Sequence, residues 1–256
     1  MAKTIFITGA SSGIGKATAL LFAERDWNVI ATMRNPENAK DLASENITLL
    51  PLEVTDVEQI NQSIQKAIKI SDIDVVLNNA GYGLAGSFEA STDAQLSNII
   101  NTNLLGVLRV TKAFIPYFRR KGVGLFITTT SIGGLLAFPF FSVYHATKWA
   151  LEGWSESVAY ELKRFGISVK TVSPGTTRTD FASSIDSAML PEYENMFNHT
   201  LNEFSGPEVM NNLSTPKQIA EVIYESAIDN KDQLRYIAGA DAIAIYEKAK
   251  FRSRGI

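Results

Sequence analysis

The chain contains no cysteine and only two histidines among its 256 residues. The first absence excludes disulfide bonds and thiolate metal sites, and the second makes a multi-histidine site improbable, so we predict no metal. No apolar run reaches the roughly 18 residues that a membrane-spanning helix needs, and glycine interrupts the first residues too early for a signal peptide. We therefore expect no membrane span and a cytoplasmic location.

The chain also lacks an excess of positive charge, since the net charge is −3 and no basic block stands out. Binding to nucleic acid through bulk electrostatics is therefore not expected. Apolar residues make up 45% of the chain, which suffices for a substantial core. A chain of this length is long for a small module and short for two full domains, so residues 1–256 are predicted to form a single domain.

Short apolar runs rich in β-branched residues alternate with longer segments of helical periodicity. The runs predict strands at Thr4–Thr8, 29–33, 47–52, 75–77, 125–129, 168–172 and Arg235–Ala238. The periodic segments predict helices near 14–25, 56–69, 92–119, 143–165 and 216–229. This alternation is typical of βαβ units, whose parallel sheet is covered by helices on both faces. We predict an α/β fold of the Rossmann type, with a doubly wound, mostly parallel sheet.

Three glycines follow the first predicted strand, in the sequence TGASSGIG at residues 8–15. Such glycines permit a tight turn and let the backbone approach a pyrophosphate at the N-terminus of the next helix. The spacing is G-x-x-x-G-x-G rather than the generic G-x-G-x-x-G, and a glycine cluster alone also fits an ordinary turn. Its place in the first strand–turn–helix unit favours a dinucleotide site built from Gly9, Ser11, Ser12, Gly13, Ile14 and Gly15.

The end of the second predicted strand indicates which dinucleotide binds. An NAD site usually has a carboxylate there for the ribose hydroxyls, whereas an arginine accommodates the 2′-phosphate of NADP. Here the strand ends at Arg34, and no carboxylate appears before Glu37. We predict NADP as the cofactor, read by Arg34, with NAD as the alternative if Arg34 is an ordinary surface charge.

Five further motifs follow the glycine turn in order. They are NNAG at 78–81, NTNLLG at 101–106, Ser131 after LFITTT, a Y-x-x-x-K pair at Tyr144 and Lys148, and PGTTRT at 174–179. Over about residues 1–180 this series resembles the short-chain dehydrogenases/reductases. The resemblance implies a catalytic group of Asn103, Ser131, Tyr144 and Lys148.

The resemblance also implies further contacts with the cofactor. They are Glu53, Val54, Asn79, Ala80, Gly81, Tyr144, Lys148, Pro174, Gly175, Thr177 and Thr179. Two positions depart from the family pattern. Glu53 stands where an aspartate near the adenine is commoner, and Thr177 replaces a usual Ile or Val.

The residue types themselves explain how this group would work. Residues four apart share a helix face, so Tyr144 and Lys148 project together if 143–165 is helical. A free phenol titrates near 10, and a nearby ammonium favours the phenolate, which would ease proton exchange with a carbonyl or an alcohol. The Ser131 hydroxyl would polarise the same oxygen. Taken alone, the Tyr144–Lys148 pair is more often an ordinary surface pair, and His145 beside it is more plausible as a packing residue than as a base.

These features predict an NADP-dependent oxidoreductase that transfers hydride reversibly between NADP(H) and a small-molecule carbonyl or secondary alcohol. The apolar stretch 135–141 and the irregular, aromatic segment 176–214, predicted to be a substrate loop or lid, favour an apolar substrate. Two alternatives stay open: an NAD-dependent steroid- or retinol-like alcohol dehydrogenase, and a catalytically idle dinucleotide sensor. The resemblance further implies a homodimer or homotetramer.

Overall fold

The computed structural model describes residues 2–179, 181, 185–204 and 213–252 of the chain. Within them the strands are β1 (Thr4–Thr8), β2 (Asn28–Met33), β3 (Ile47–Pro51), β4 (Val75–Asn78), β5 (Leu84–Gly86), β6 (Gly124–Thr129), β7 (Ile167–Pro174), β8 (Asp186–Ala188) and β9 (Arg235–Ala238). The central sheet has the order β3-β2-β1-β4-β6-β7-β9, and each adjacent pair is parallel. The α/β prediction is confirmed, as are the seven predicted strands, all of which lie in this sheet.

Helices cover both faces of the sheet. They are α1 (Gly13–Glu24), α2 (Val57–Ile70), α3 (Asp93–Ile100), α4 (Gly106–Lys121), α5 (Ser142–Lys163), α6 (Pro191–Phe204), α7 (Pro216–Ile228) and α8 (Ala240–Arg252). The sequence indicates where two of them begin. The Asp56 side chain caps α2 by accepting from the backbone N–H groups of Glu58 and Gln59. Thr215 forms a capping box with Gln218, ahead of the proline that begins α7.

The strand residues alternate between two hydrophobic cores. Ile5 and Ile7 of β1 belong to the core that α1 and α7 cover, whereas Phe6 belongs to the core beneath α2, α4 and α5. Phe22 and Phe114 anchor the two cores, one on each side, and both are fully buried. Burying a side chain of this size stabilises the fold by about 1.5–3 kcal/mol, so the doubly covered sheet is a rigid base for its edge loops.

The predicted helix at 92–119 differs from the structure in its middle. The chain stays helical, but Asn101–Leu105 form a π-helical turn between α3 and α4. Such a wide turn inserts one extra residue into the helix and rotates the side chains that follow. Periodicity could not reveal it, because α3 and α4 each keep ordinary helical spacing.

The predicted lid at 176–214 is more regular than its sequence suggests. It contains β8, which pairs with β5 in a separate two-stranded sheet, and it contains α6. Residues 180, 182–184 and 205–212 of this segment lie outside the described residues. Its role as a lid stays a prediction.

The order of the strands fixes where a ligand can bind. From β1 the chain adds β2 and β3 on one side of the sheet, and it then adds β4 and the later strands on the other side. This reversal of strand order opens a crevice at the carboxyl ends of β1 and β4. None of the helices in the described part of the chain is both long and apolar enough to cross a membrane.

Candidate active site

The predicted site residues gather at the carboxyl edge of the sheet. They follow β1 (Gly9, Ser11, Ser12, Gly13, Ile14, Gly15), β2 (Arg34), β3 (Glu53, Val54), β4 (Asn79, Ala80, Gly81), β6 (Ser131) and β7 (Gly175, Thr177, Thr179), while Pro174 ends β7. Asn103 lies in the π-helical turn, and Tyr144 and Lys148 lie near the start of α5. A parallel sheet brings these separated motifs to one edge because its strands all point the same way.

The glycine turn leaves no room for larger side chains. Gly9 and Gly13 have left-handed φ angles of 68° and 54°. A Cβ on Gly9 would lie 2.8 Å from the Ala80 Cα, and one on Gly15 would lie 2.2 Å from the Gly9 carbonyl oxygen. The turn therefore packs closely against the end of β4 and leads into the N-terminus of α1, where free backbone N–H groups suit a pyrophosphate.

Polar side chains fasten this turn to the end of β4. The Thr8 hydroxyl accepts hydrogen bonds from the backbone N–H groups of Asn79 at 2.9 Å and Ala80 at 3.1 Å. In return, the Asn79 amide nitrogen donates to the carbonyls of Thr8 at 3.2 Å and Gly9 at 3.1 Å. Asn79 thus holds the shape of the cradle in addition to lying beside it.

Arg34 is exposed directly after β2 and forms no ion pair with any described residue. The next two carboxylates along the chain are both paired: Glu37 with Lys40 at 2.6 Å, and Asp41 with Lys16 at 2.9 Å. The free charge at this corner of the crevice is therefore the guanidinium, which suits a phosphate more than a ribose hydroxyl.

Of the two predicted residues after β3, Val54 faces the protein interior and Glu53 bonds to its own loop. The Glu53 carboxylate accepts from both the backbone N–H and the hydroxyl of Thr55 at 3.1 Å. Val54 is buried, and a Cβ on Gly106 would lie 3.0 Å from it. Glu53 is thus already bonded within its loop, while Val54 packs α4 against the edge of the site.

The π-helical turn presents Asn103 to the site. Its side-chain oxygen accepts from the Tyr82 N–H at 3.0 Å, and its amide nitrogen donates to the Tyr82 carbonyl at 2.8 Å. A Cβ on Gly81 would lie 3.0 Å from the Asn103 oxygen and 4.0 Å from the Lys148 ammonium. The Asn103 amide and the Lys148 amine therefore lie close to the same glycine, Gly81, whose lack of a side chain lets both approach.

Ser131, Tyr144 and Lys148 converge on one point above β6. The Ser131 side chain hydrogen-bonds to the Tyr144 phenol and also accepts from the Gly133 N–H at 3.0 Å. The Lys148 ammonium is buried, donates to the Thr129 carbonyl at 2.9 Å and lies 5.7 Å from the centre of the Tyr144 ring. Since Tyr144 and Lys148 share a face of α5, the amine reaches Thr129 at the end of β6 and the phenol reaches Ser131 just beyond it.

The titration of this pair departs in part from the sequence-based expectation. Burial raises the pKa of the Tyr144 phenol, and the hydrogen bond from Ser131 opposes that change without cancelling it. The expected lowering of the phenol pKa is therefore wrong for this structure, because loss of hydration outweighs it. Burial lowers the pKa of Lys148 to about 8, against the attraction of Glu152. Around neutral pH the pair holds a protonated phenol beside an ammonium.

The segment after β7 returns to the glycine turn. A Cβ on Gly13 would lie 3.4 Å from the Thr179 methyl group, so the two loops are in contact. The Thr177 hydroxyl donates to the Gly175 carbonyl at 3.2 Å, and the Asp241 carboxylate accepts from the Thr176 N–H at 2.7 Å. Side-chain bonds thus fix the shape of the segment that lies against the glycine turn.

His145 is a packing residue, as expected from its position. Its Nε2 accepts from the Phe138 N–H at 3.0 Å, so its Nδ1 carries the proton and donates to the Gly133 carbonyl at 2.6 Å. Both ring nitrogens are engaged with backbone, which leaves neither for proton transfer. The ring instead fixes the loop that follows Ser131.

Comparison with known proteins identifies the arrangement. Residues 3–190 match the family described as short chain dehydrogenase. The chain belongs to this family. It is similar to an uncharacterized oxidoreductase of Schizosaccharomyces pombe, with 40% identity over 81% of this chain and 88% of that one. It is also similar to retinol dehydrogenase 8 of Bos taurus, with 31% identity over 86% and 76%.

Solved structures agree with this assignment. A short-chain dehydrogenase from Streptomyces avermitilis has a TM-score of 0.88 and 32% identity, covering 99% of this chain and 94% of that one. A structure described as ElxO with NADP bound has a TM-score of 0.80 and 29% identity, covering 95% and 100%. The predicted family and its Rossmann-type fold are confirmed, and the chain is an oxidoreductase of the short chain dehydrogenase type.

Several residues of the site were not found from the sequence. Thr8, Tyr82, Asp241 and Glu152 all hold a predicted site residue or its loop in place. Asp241 comes from the last helix, more than sixty residues from the loop that it binds. Of these four residues, only Glu152 could have been found from the sequence, because its spacing of four residues from Lys148 places it on the same face of α5.

Proposed function

We propose that this chain is an NADP-dependent oxidoreductase that transfers hydride reversibly between NADP(H) and a carbonyl or secondary alcohol. The observation that carries the proposal is the convergence of Ser131, Tyr144 and Lys148 beside the glycine turn. A hydroxyl, a protonated phenol and an ammonium at the edge of a dinucleotide cradle are the groups that proton transfer to a carbonyl oxygen requires. An idle sensor would need the cradle alone.

The residues that would hold the dinucleotide surround this cradle. They are Gly9, Ser11, Ser12, Gly13, Ile14 and Gly15 at the pyrophosphate, Arg34 at the 2′-phosphate, and Glu53, Val54, Asn79, Ala80, Gly81, Tyr144, Lys148, Pro174, Gly175, Thr177 and Thr179 along the remainder. When bound, the nicotinamide supplies or accepts the hydride. The protein supplies the position and the electrostatic environment.

In this proposal Tyr144 is the proton donor in carbonyl reduction. Its raised pKa keeps the phenol protonated, so the proton is available for the carbonyl oxygen as that oxygen becomes an alkoxide. The Ser131 hydroxyl polarises the same oxygen, as its hydrogen bond with the Tyr144 oxygen suggests. The Lys148 ammonium stabilises the phenolate that remains. Asn103, across Gly81 from Lys148, would connect the amine to a proton relay.

Arg34 supports NADP over NAD. It is the unpaired charge at the end of β2, and the nearby carboxylates Glu37 and Asp41 are neutralised by lysines. Repulsion of a 2′-phosphate is thereby reduced, while a guanidinium remains to bind it. The similarity to the NADP-bound ElxO agrees with this choice. The alternative is NAD, with Arg34 as an ordinary surface charge.

Aromatic rings around the phenol support an apolar substrate. Phe141 and Phe181 lie 6.4 and 6.1 Å from the Tyr144 ring, centre to centre, and Phe140 contacts Phe197 of α6 at 5.2 Å. These rings line one side of the reacting group, so a bulky hydrocarbon next to the carbonyl would fit there. The similarity to retinol dehydrogenase 8 points the same way and also supports a retinol-like alcohol as the alternative substrate.

A substrate screen tests the proposal. Purified protein is incubated with a panel of apolar ketones and aldehydes and with NADPH or NADH, and the absorbance of the reduced nicotinamide is followed. We expect turnover with NADPH and bulky apolar carbonyls. Tight NADPH binding with no turnover would favour the sensor, and a clear preference for NADH would favour the NAD-dependent alternative. The homodimer or homotetramer stays a prediction, which light scattering would measure.

A further inference from the structure

A buried carboxylate that the proposed reaction does not use lies one helical turn beyond Lys148. Glu152 on α5 is only 4% exposed. Its Oε1 accepts from the hydroxyls of Thr130 at 2.6 Å and Ser173 at 3.1 Å. Its Oε2 accepts from the Thr171 hydroxyl at 3.2 Å and from the Arg235 Nε at 3.0 Å. Four side-chain donors on one buried carboxylate require a physical explanation, because burying a charge is costly.

Two of the four partners of Glu152 directly precede candidate active-site positions. Thr130 comes directly before Ser131, and Ser173 comes directly before Pro174. The two hydroxyl oxygens also lie 2.9 Å apart. One carboxylate therefore connects the end of β6, the end of β7 and the helix that carries the phenol and the amine. A shift of this connection would move Ser131 relative to Tyr144.

Glu152 is also the carboxylate that acts on Lys148. Burial lowers the pKa of Lys148 to about 8, and the charge of Glu152 opposes that effect. On α5 the groups that face the amine are Tyr144 and Glu152, and β6 contributes the uncharged Thr129 carbonyl. Asn103 of the π-helical turn, across Gly81, is uncharged as well.

From β9, Arg235 reaches Glu152 and continues to the half-exposed Glu156 at 2.5 Å. Arg235 is thus shared between two carboxylates of α5. Only Glu152 of the two also binds the hydroxyls of β6 and β7, so the two glutamates differ in burial and in what they hold.

We propose that Glu152 is a positioning residue of the active site: its carboxylate aligns Ser131 with Tyr144 and places a negative charge one helical turn beyond Lys148. The proposal rests on the proposed function, because alignment matters only if these groups react. Glu152 itself is placed away from the reacting atoms and acts through its neighbours. Its negative charge is the feature that a purely structural hydrogen-bond acceptor would not need.

The test compares Glu152→Gln with Glu156→Gln. Both changes remove a carboxylate that bonds Arg235, but only the first removes the charge beside Lys148. The titration of Lys148 is followed by NMR on protein with isotopically labelled lysine, and its signal is assigned by its absence in Lys148→Met. We expect Lys148 to titrate at lower pH in Glu152→Gln and at an unchanged pH in Glu156→Gln.

Kinetics provide the second measurement. Misplaced reacting groups can cost up to about 100-fold in rate, so we expect Glu152→Gln to lower kcat about 10- to 100-fold with KM for the cofactor little changed. The alkaline decline of kcat should also move to lower pH, because the ammonium is lost earlier. Glu156→Gln should match wild type in both respects. Equal Lys148 titration and equal pH profiles in the two variants would overturn the proposal.

A conservative variant keeps the proposal testable if Glu152→Gln does not fold. Glu152→Asp keeps the charge but draws it back by one methylene from the hydroxyls. We expect a Lys148 titration closer to wild type than that of the glutamine variant, together with a reduced kcat. A wild-type kcat in Glu152→Asp would contradict the positioning role. A shifted Lys148 titration in a protein with no turnover on any substrate would instead refute the proposed function while the charge relationship stood.

Discussion

The Lys148 ammonium lies 5.7 Å from the centre of the Tyr144 ring, one turn further along the same helix. It is held there by the Thr129 carbonyl, to which it donates at 2.9 Å. The amine is therefore a fixed charge behind the phenol and does not depend on the phenol hydroxyl for its position. Removing that hydroxyl should leave the rest of the site in place.

Tyr144→Phe follows directly from this arrangement. The variant loses the proton donor but keeps the ring and its contacts with Phe141 and Phe181. Since general acid catalysis is typically worth 10²–10⁴-fold, we expect kcat to fall by about that factor. Dissociation constants for NADPH, measured by fluorescence titration, should change little.

Tyr160→Phe is the matched control for this substitution. Tyr160 lies on the same helix but is 77% exposed, so removal of its hydroxyl should leave kcat unaltered. Near-normal turnover of Tyr144→Phe with a good substrate would show that another group provides the proton.

Arg34→Ala examines the choice of cofactor. Loss of the guanidinium removes a charge-assisted contact worth about 1.5–3 kcal/mol, so KM for NADPH should rise about 10- to 100-fold. KM for NADH should hardly change, since NADH lacks the 2′-phosphate. The control is Arg120→Ala, an exposed arginine where α4 ends, at the opposite edge of the sheet. An equal rise for both cofactors would mean that Arg34 does not read the phosphate.

The sheet and the order of the motifs could be predicted because both follow from local patterns. Buried parallel strands such as β1 read as short apolar runs, and a parallel sheet brings their ends to one edge. The residues that fix the site were harder to foresee. Asp241 reaches the loop after β7 from the last helix, and Arg235 reaches Glu152 from β9. Such long-range partners leave no periodic signal in the sequence.

The direction of the pKa shift of Tyr144 could not be predicted from the sequence for a related reason. Its spacing from Lys148 indicates an attraction, but the degree of burial that opposes it is a property of the whole fold. The π-helical turn at Asn103 likewise leaves no mark in the sequence pattern, because the helices on either side keep ordinary spacing. Sequence therefore predicted which groups meet, whereas the structure was needed for their energetics.

Gly9→Ala tests the steric need for glycine in the cradle. Its φ of 68° makes any side chain unfavourable by about 1 kcal/mol, and a Cβ would lie 2.8 Å from the Ala80 Cα. Gly122→Ala is the control, because Gly122 has a similar φ of 74° with nothing within 4 Å of a Cβ. We expect both variants to unfold at lower urea concentrations. Only Gly9→Ala should also weaken NADPH binding, by about 10-fold or more; equal binding in the two variants would contradict the cradle.

A second buried lysine provides a test of stability that is independent of catalysis. Lys170 of β7 bonds Asp229 at 2.5 Å, and the Tyr236 hydroxyl donates to the same carboxylate at 2.7 Å. Burial acts to raise the pKa of Asp229, but the hydrogen bonds from Lys170 and Tyr236 outweigh it and lower the pKa from 3.8 to about 2. The folded protein therefore binds a proton at Asp229 less readily than the unfolded chain.

The sign of the pH dependence follows from that difference. The contribution of Asp229 is fully present above about pH 4 and is lost as the pH falls towards about 2. Asp229→Ala should lower the free energy of unfolding by about 3 kcal/mol near neutral pH, because it leaves Lys170 buried without its partner, and the deficit should shrink in acid. Asp232→Ala, which breaks an exposed pair with Lys163, should lower the free energy of unfolding far less than Asp229→Ala near neutral pH. Urea unfolding at neutral and acid pH measures both; equal losses would mean that the buried pair adds no more stability than the exposed one.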